Sequence, residues 1–198
     1  MAKFGIGQSV RRVEDPRLLT GGGRYTDDTK LSTPAARAYV LRSPHAHAEI
    51  NRIDTTAAAK APGVMLVLPG EDVRKAGYGD LPCLVPVTNR DGTPRGETPR
   101  PMLAQGRVRH VGDPVALVVA ETLEQAKDAA ELIEVDYEAR PHTVGTLESA
   151  QPGAPLVHEH IPGNLVFDWE MGDRARTEAA FAKADRVVTL EIVNNRLV

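Results

Sequence analysis

The chain has 198 residues, room for one domain of ordinary size or for one domain and the start of another, and enough to bury a core. A hydrophobic share of 41%, a charged share of 26%, 17 Gly and 15 Pro describe a turn-rich folded chain, and an aromatic share of 4% excludes a ligand site built from stacked rings. The net charge of −3 provides no global field for nucleic acid or an acidic membrane, and a single cysteine, Cys83, excludes an intramolecular disulfide and any cysteine-based zinc or iron-sulfur site made by this chain alone.

Residues 1–34 have no sustained period, carry Arg11, Arg12, Arg17 and Arg24 against Glu14 and Asp15, and include Gly21-Gly22-Gly23; an extended arm lying on another surface is expected. Ala36 to Leu41 is a short strand that Ser43-Pro44 interrupts. Ala46, Ala48, Ile50 and, after one slip, Ile53 then alternate with polar neighbours at the period of a half-buried strand, so one sheet could hold both runs. Asp54-Thr55-Thr56 begins a predicted helix over Ala57 to Ala61, which Pro62-Gly63 stops. Val64 to Leu68, with Pro-Gly on both sides, is too short for a helix and reads as a buried strand.

From Gly77 to Gly106, ten Gly and Pro residues argue against regular structure, and a loop of that length in a compact domain has a task or docks on something. Val108 to Val111 resumes as a strand, Gly112-Asp113-Pro114 turns, and Val115 to Ala120 is a second buried strand. Thr122 caps a helix with Ala126, Ala129, Ala130 and Ile133 at helical spacing, and Glu134 to Glu138 alternates as a strand, giving a β-turn-β-α-β unit. A polar connection runs from Pro141 to about Pro162. Asn164 to Met171 is then predicted as a strand, Arg174 to Ala184 as a helix with Ala179, Ala180 and Phe181 on its apolar side, and Val187 to Val193 as a last strand. A stop at Val198, with nothing to cover that strand, is expected of an interrupted domain.

The residue chemistry alone gives no enzyme. Gly21-Gly22-Gly23 lacks the Lys-Ser/Thr of a phosphate cradle and reads as a turn. The pairs His45/His47 and His158/His160 each place two imidazoles on one side of an extended backbone, but no spacing supplies a third metal ligand, and surface or hydrogen-bonded histidines are expected. The run Glu121, Glu124, Asp128, Glu131, Glu134, Asp136 and Glu138 reads as a solvated face. No Ser, His and Asp lie in a nucleophile-elbow context, and Cys83, between Pro82 and Leu84, carries no local activating helix signal in the sequence. No run approaches roughly 18 apolar residues, and Met1-Ala2-Lys3-Phe4-Gly5 leads into no apolar signal region, so no membrane insertion and a cytoplasmic, reducing location are expected.

The N-terminal stretch Arg11-Arg12-Val13-Glu14-Asp15-Pro16-Arg17-Leu18-Leu19-Thr20-Gly21, continuing to Arg24-Tyr25-Thr26-Asp27-Asp28, resembles the opening of molybdenum hydroxylase large subunits, the xanthine dehydrogenase, aldehyde oxidase and carbon monoxide dehydrogenase family. Collinear matches follow in Arg42-Ser43-Pro44-His45-Ala46-His47-Ala48, Ile53-Asp54 and Pro62-Gly63-Val64, then in Val108 to Ala116, Val118 to Thr122 and Val135-Asp136-Tyr137. Asn164, Gly172-Asp173 and Asn195-Arg196-Leu197-Val198 resemble the entry into the family's molybdenum-cofactor domain. The resemblance implies an α+β fold: an extended arm (1–34), an α/β hammerhead-like domain (35–145), and a linker with the start of a partial second α+β domain, the molybdenum-cofactor-binding domain (146–198).

The family's molybdenum-site glutamine, pterin contacts and glutamate base all fall beyond the point corresponding to Arg196, so no catalytic, cofactor-binding or metal residue carries over. The resemblance therefore implies a scaffold rather than a catalyst. Molybdopterin, the molybdenum cofactor, belongs to the complete subunit, and iron-sulfur clusters and FAD to partner subunits or domains. The partners so implied are the molybdenum-cofactor domain or subunit and the iron-sulfur and flavin subunits; independently of the resemblance, the open edge of the last predicted strand leads to the expectation that the isolated chain self-associates. The alternative is a free-standing, non-catalytic binding or assembly module that reuses the hammerhead fold, with Arg90, Arg95, Arg100, Arg107 and Arg109 as its contact surface.

Overall fold

The apolar runs pair into two three-stranded antiparallel sheets in the computed structural model, which describes residues 7, 11–29, 33–84 and 86–192. The strands are β1 (Arg37–Arg42), β2 (Ala48–Asp54), β3 (Val64–Pro69), β4 (Arg107–Val108), β5 (Pro114–Ala120) and β6 (Glu134–Ala139). One sheet has the order β1-β5-β3 and the other β4-β2-β6.

The continuous apolar character of β5 follows from its central place. Val115, Ala116, Val118 and Ala120 are all fully buried. Helix α3 (Leu123–Glu131) covers that sheet with Ala126, Ala129 and Ala130, whose small side chains let the helix pack close against Ala116, Val118 and Ala120. Its start is fixed by a reciprocal cap: the Thr122 hydroxyl accepts from the Gln125 amide at 3.2 Å, and Gln125 Oε1 accepts from the Thr122 amide at 3.0 Å. A second cluster, Ala48, Ala104, Val108 and Val115 with Ile50 and Tyr137 against it, lies by the other sheet.

Several expectations are corrected. Strands β1 and β2 belong to different sheets, because the chain turns a corner at Ser43, whose amide donates to Asp113 O at 2.9 Å and whose carbonyl accepts from the Gly112 amide at 2.8 Å. The slip before Ile53 is a β-bulge: Ile50 pairs with Tyr137 and Arg52 with Asp136, leaving Asn51 extra, so Ile50 and Ile53 both pack inward. The alanine run gives only a 3-10 turn, Ala58–Lys60, before Pro62. Helix α2 (Gly70–Lys75) follows β3 directly, over a stretch for which the sequence suggests no element. A Cβ at Gly70 would collide with the Ala104 carbonyl, so only glycine lets the helix start there. The arm is not wholly extended. It holds α1 (Asp15–Leu19), with Pro16 in its first turn, and a 3-10 turn at Thr26–Asp28. Met1 to Gly5 lie outside the described residues.

The C-terminal third departs furthest. After α4 (Thr146–Ser149) and a 3-10 turn at Pro162–Asn164, the predicted strand Asn164 to Met171 joins no sheet. Its extended part meets the 77–106 loop through two backbone hydrogen bonds, Gly96 amide to Val166 O at 2.7 Å and Arg90 amide to Asp168 O at 2.9 Å. Helix α5 (Arg174–Ala182), capped by Asp173, buries no residue. Residues 187–192 pair with no strand among the described residues, and Val193 and Asn195 to Val198 lie outside them.

Candidate interface

Strand register creates the first charged cluster. Glu49 on β2 stands opposite Arg107 on β4. Arg107 forms an ion pair with Glu49 and another with Glu159 of the connection after α4, and Arg140 approaches the same Glu49 carboxylate at 3.3 Å. The Arg107 guanidinium holds the Glu159 carboxyl down to about 2, and the two carboxylates raise Arg107 in turn.

Both histidine pairs reach this region. His47 is buried, with Nδ1 3.2 Å from the Pro141 carbonyl and Nε2 without a hydrogen-bond partner among the described residues. His160 Nε2 lies 2.7 Å from the Glu97 carbonyl, and the His158 and His160 rings meet edge to face with centroids 5.7 Å apart. Burial pushes the His158 pKa down, helped by the positive fields of Arg109, His160 and His47. His45 packs on Tyr137 at 4.8 Å. The proximity of His47 to His158 is invisible in sequence, since more than a hundred residues separate them.

A second cluster lies around Arg90. Its guanidinium pairs with Asp168, Nε at 3.0 Å, and Nη1 reaches Glu170 at 3.2 Å. Arg174 approaches Glu170 at 3.6 Å, and Asn89 Oδ1 accepts from the Asp168 amide at 2.9 Å. These groups, with Leu165 and Phe167, line an open groove of about 820 Å³. Asp168 and Glu170 pair with Arg90; Leu165 and Phe167, 61% and 49% exposed, line the same groove, and Trp169 and Met171, 55% and 81% exposed, are not among its lining residues. Phe181, Val187, Val188, Leu190 and Ile192 are exposed beyond them.

Of the arginines expected to form a free contact surface, Arg90 and Arg107 are taken up in ion pairs, Arg95 is largely buried beside the Gly96 carbonyl, Arg109 Nε is buried, and Arg100 is exposed. The acidic run from Glu121 to Glu138 is exposed throughout, a solvated face. Cys83 is exposed, and no three His, Cys, Asp or Glu side chains converge as a metal site among the described residues. No helix among them is long and apolar enough to cross a membrane.

Two small antiparallel sheets with α3 packed on one of them place this chain among the α/β hammerhead domains. Residues 20–141 match the family described as aldehyde oxidase and xanthine dehydrogenase, a/b hammerhead domain, and the chain belongs to that family. It is 38% identical to the carbon monoxide dehydrogenase large chain of Afipia carboxidovorans over 92% of this chain and 23% of that one. Among solved structures it is similar to quinoline 2-oxidoreductase from Pseudomonas putida 86, with TM-score 0.66, 43% identity, and coverage of 83% of this chain and 20% of that one. It is also similar to the Cu,Mo-CO dehydrogenase, with TM-score 0.64, 36% identity, and coverage of 92% and 23%. The chain thus spans about a quarter or less of these relatives. The large-subunit resemblance holds, and the free-standing module is not favoured.

Proposed function

We propose that this chain is the N-terminal portion of the molybdopterin-binding large subunit of a xanthine dehydrogenase/aldehyde oxidase-type oxidoreductase, and that its task is scaffolding. In this reading residues 1–34 are the arm, 35–145 the hammerhead domain, and 146–198 the linker and start of the cofactor-binding part. The observation that carries it is the stripe of exposed apolar residues Leu165, Phe167, Trp169 and Met171 just past the hammerhead match, surface of the kind that marks a partner site. The occupant is the molybdenum-cofactor part of the same enzyme, with iron-sulfur and flavin subunits completing a cytoplasmic assembly. The cofactor, when bound there, supplies the oxidative hydroxylation; this chain's residues hold neighbouring surfaces in place.

Trp169 is the only tryptophan, so its fluorescence reports the stripe directly. Addition of the molybdenum-cofactor part of a family large subunit should shift Trp169 emission to the blue and protect it from quenchers. An unchanged emission at saturating partner would overturn the reading.

A further inference from the structure

We infer that residues 158–171 form a strap, held against the hammerhead domain by two guanidinium clamps at Arg107 and Arg90, which opens as one unit and whose closed state sets where the apolar stripe is presented. The first support is how little apolar packing this segment has. From Glu134 onward, Ile161, 5% exposed, is the only buried residue among those described. It sits where Gly96 has no side chain, since a Cβ there would lie 2.6 Å from Ile161 Cδ1.

Val166 is half-buried beside Gly96, and hydrogen bonds and ion pairs add further ties to the domain. At one end Glu159 meets Arg107, and His160 Nε2 meets the Glu97 carbonyl at 2.7 Å. At the other, Asp168 and Glu170 meet Arg90, and the Asp168 amide donates to Asn89. The two backbone bonds from Gly96 and Arg90 lie between these ends.

The second support is what remains after opening. Glu49 already engages both Arg107 and Arg140, so removal of Glu159 leaves no unpaired charge on the sheet. Arg90 is about half exposed and is rehydrated by water, while Glu170 keeps Arg174. The cost of buried, orphaned charge that would lock such a segment is therefore absent. Partly exposed ion pairs are weak and salt-sensitive, which places the strap among the low-stability units of the domain, far below β5 and α3.

Hydrogen exchange with mass spectrometry on the whole 198-residue chain tests this. Compared at about 0.05 and about 0.5 M NaCl, either side of the ionic strength at which the screening length is roughly 8 Å, peptides from 158–171 should exchange on the order of three- to tenfold faster at high salt while β5 and α3 stay unchanged. Arg107→Gln and Arg90→Gln should each reproduce the acceleration at low salt across the entire segment, and Glu159→Gln, an isosteric change at an exposed site, should do so without touching the sheet. Acceleration confined to the residues next to each substitution, equal acceleration in β5, or no acceleration would overturn the strap. The stripe's partner plays no part in this measurement, so it fails or succeeds separately from the proposed function.

Discussion

Asn164 offers the sharpest energetic test of how the connection after the hammerhead is built. It adopts a left-handed backbone with φ of 56°. Its Oδ1 accepts from the Val157 amide at 2.8 Å, and its Nδ2 donates to the carbonyls of Ser149 at 2.9 Å and Pro155 at 3.0 Å. One side chain therefore pins three points of the 149–157 segment. Asn164→Ala removes all three hydrogen bonds, each contributing about 1 kcal/mol net, but water reaches this half-buried site, so about 2 kcal/mol is lost. Alanine in the left-handed region adds roughly 1 kcal/mol more. Asn164→Gly removes the same bonds without that strain and should fall roughly 0.5 to 1 kcal/mol short of the alanine variant's loss. Urea unfolding, with exchange of the Val157 amide as the local probe, should give the order wild type, then glycine, then alanine. An alanine variant within about 0.5 kcal/mol of wild type, or a glycine variant less stable than alanine, would refute the reasoning.

Val118→Ala removes a fully buried side chain from the middle of β5 and should cost about 2 to 3 kcal/mol, measured by thermal and urea unfolding; a loss below about 1 kcal/mol would mean that the two sheets and α3 do not form the core described. The depressed His158 pKa contributes stability that is fully present above its ordinary value of 6.5 and lost as pH falls through the folded value, so His158→Gln should flatten the stability profile just below pH 6.5; an unchanged profile would contradict the burial of His158 and, after it, the placement of Arg109, His160 and His47 around it. Glu159, held at about 2, contributes stability present above its ordinary 4.5 that fades as pH drops towards 2, a fade that Glu159→Gln should remove. The isolated chain should self-associate through its exposed C-terminal apolar residues, and Leu190→Lys should reduce this; a clean monomer at high concentration by light scattering would count against that expectation.

What the sequence made legible was local. The run from Val115 to Ala120, the Thr122 and Gln125 cap and the alanine spacing of α3 carry their own signals, and all three stand in the structure. The slip before Ile53 was a real bulge visible as a break in alternation. Non-local choices were not legible. Nothing near Ser43 in sequence says that it will bind Asp113 and send β1 and β2 into separate sheets, or that Gly70 will start a helix beneath Ala104. Asn164 to Met171 has a strand's alternation but pairs with no sheet edge among the described residues; its backbone meets the 77–106 loop instead, and Asp168 and Glu170 pair with Arg90. The charged interface escaped for the same reason: Arg107 and Glu159, or Arg90 and Asp168, become partners only once the loop has folded back.

The central claim, a hammerhead scaffold within a molybdenum hydroxylase large subunit, is tested most directly by affinity purification of the chain from its native host with quantitative molybdenum analysis of what accompanies it. The account predicts stoichiometric molybdenum on a co-purifying or covalently continuous large-subunit polypeptide, and loss of that molybdenum from the purified material on Trp169→Asp when the two are separate chains. A chain recovered with neither molybdenum nor large-subunit sequence would contradict it.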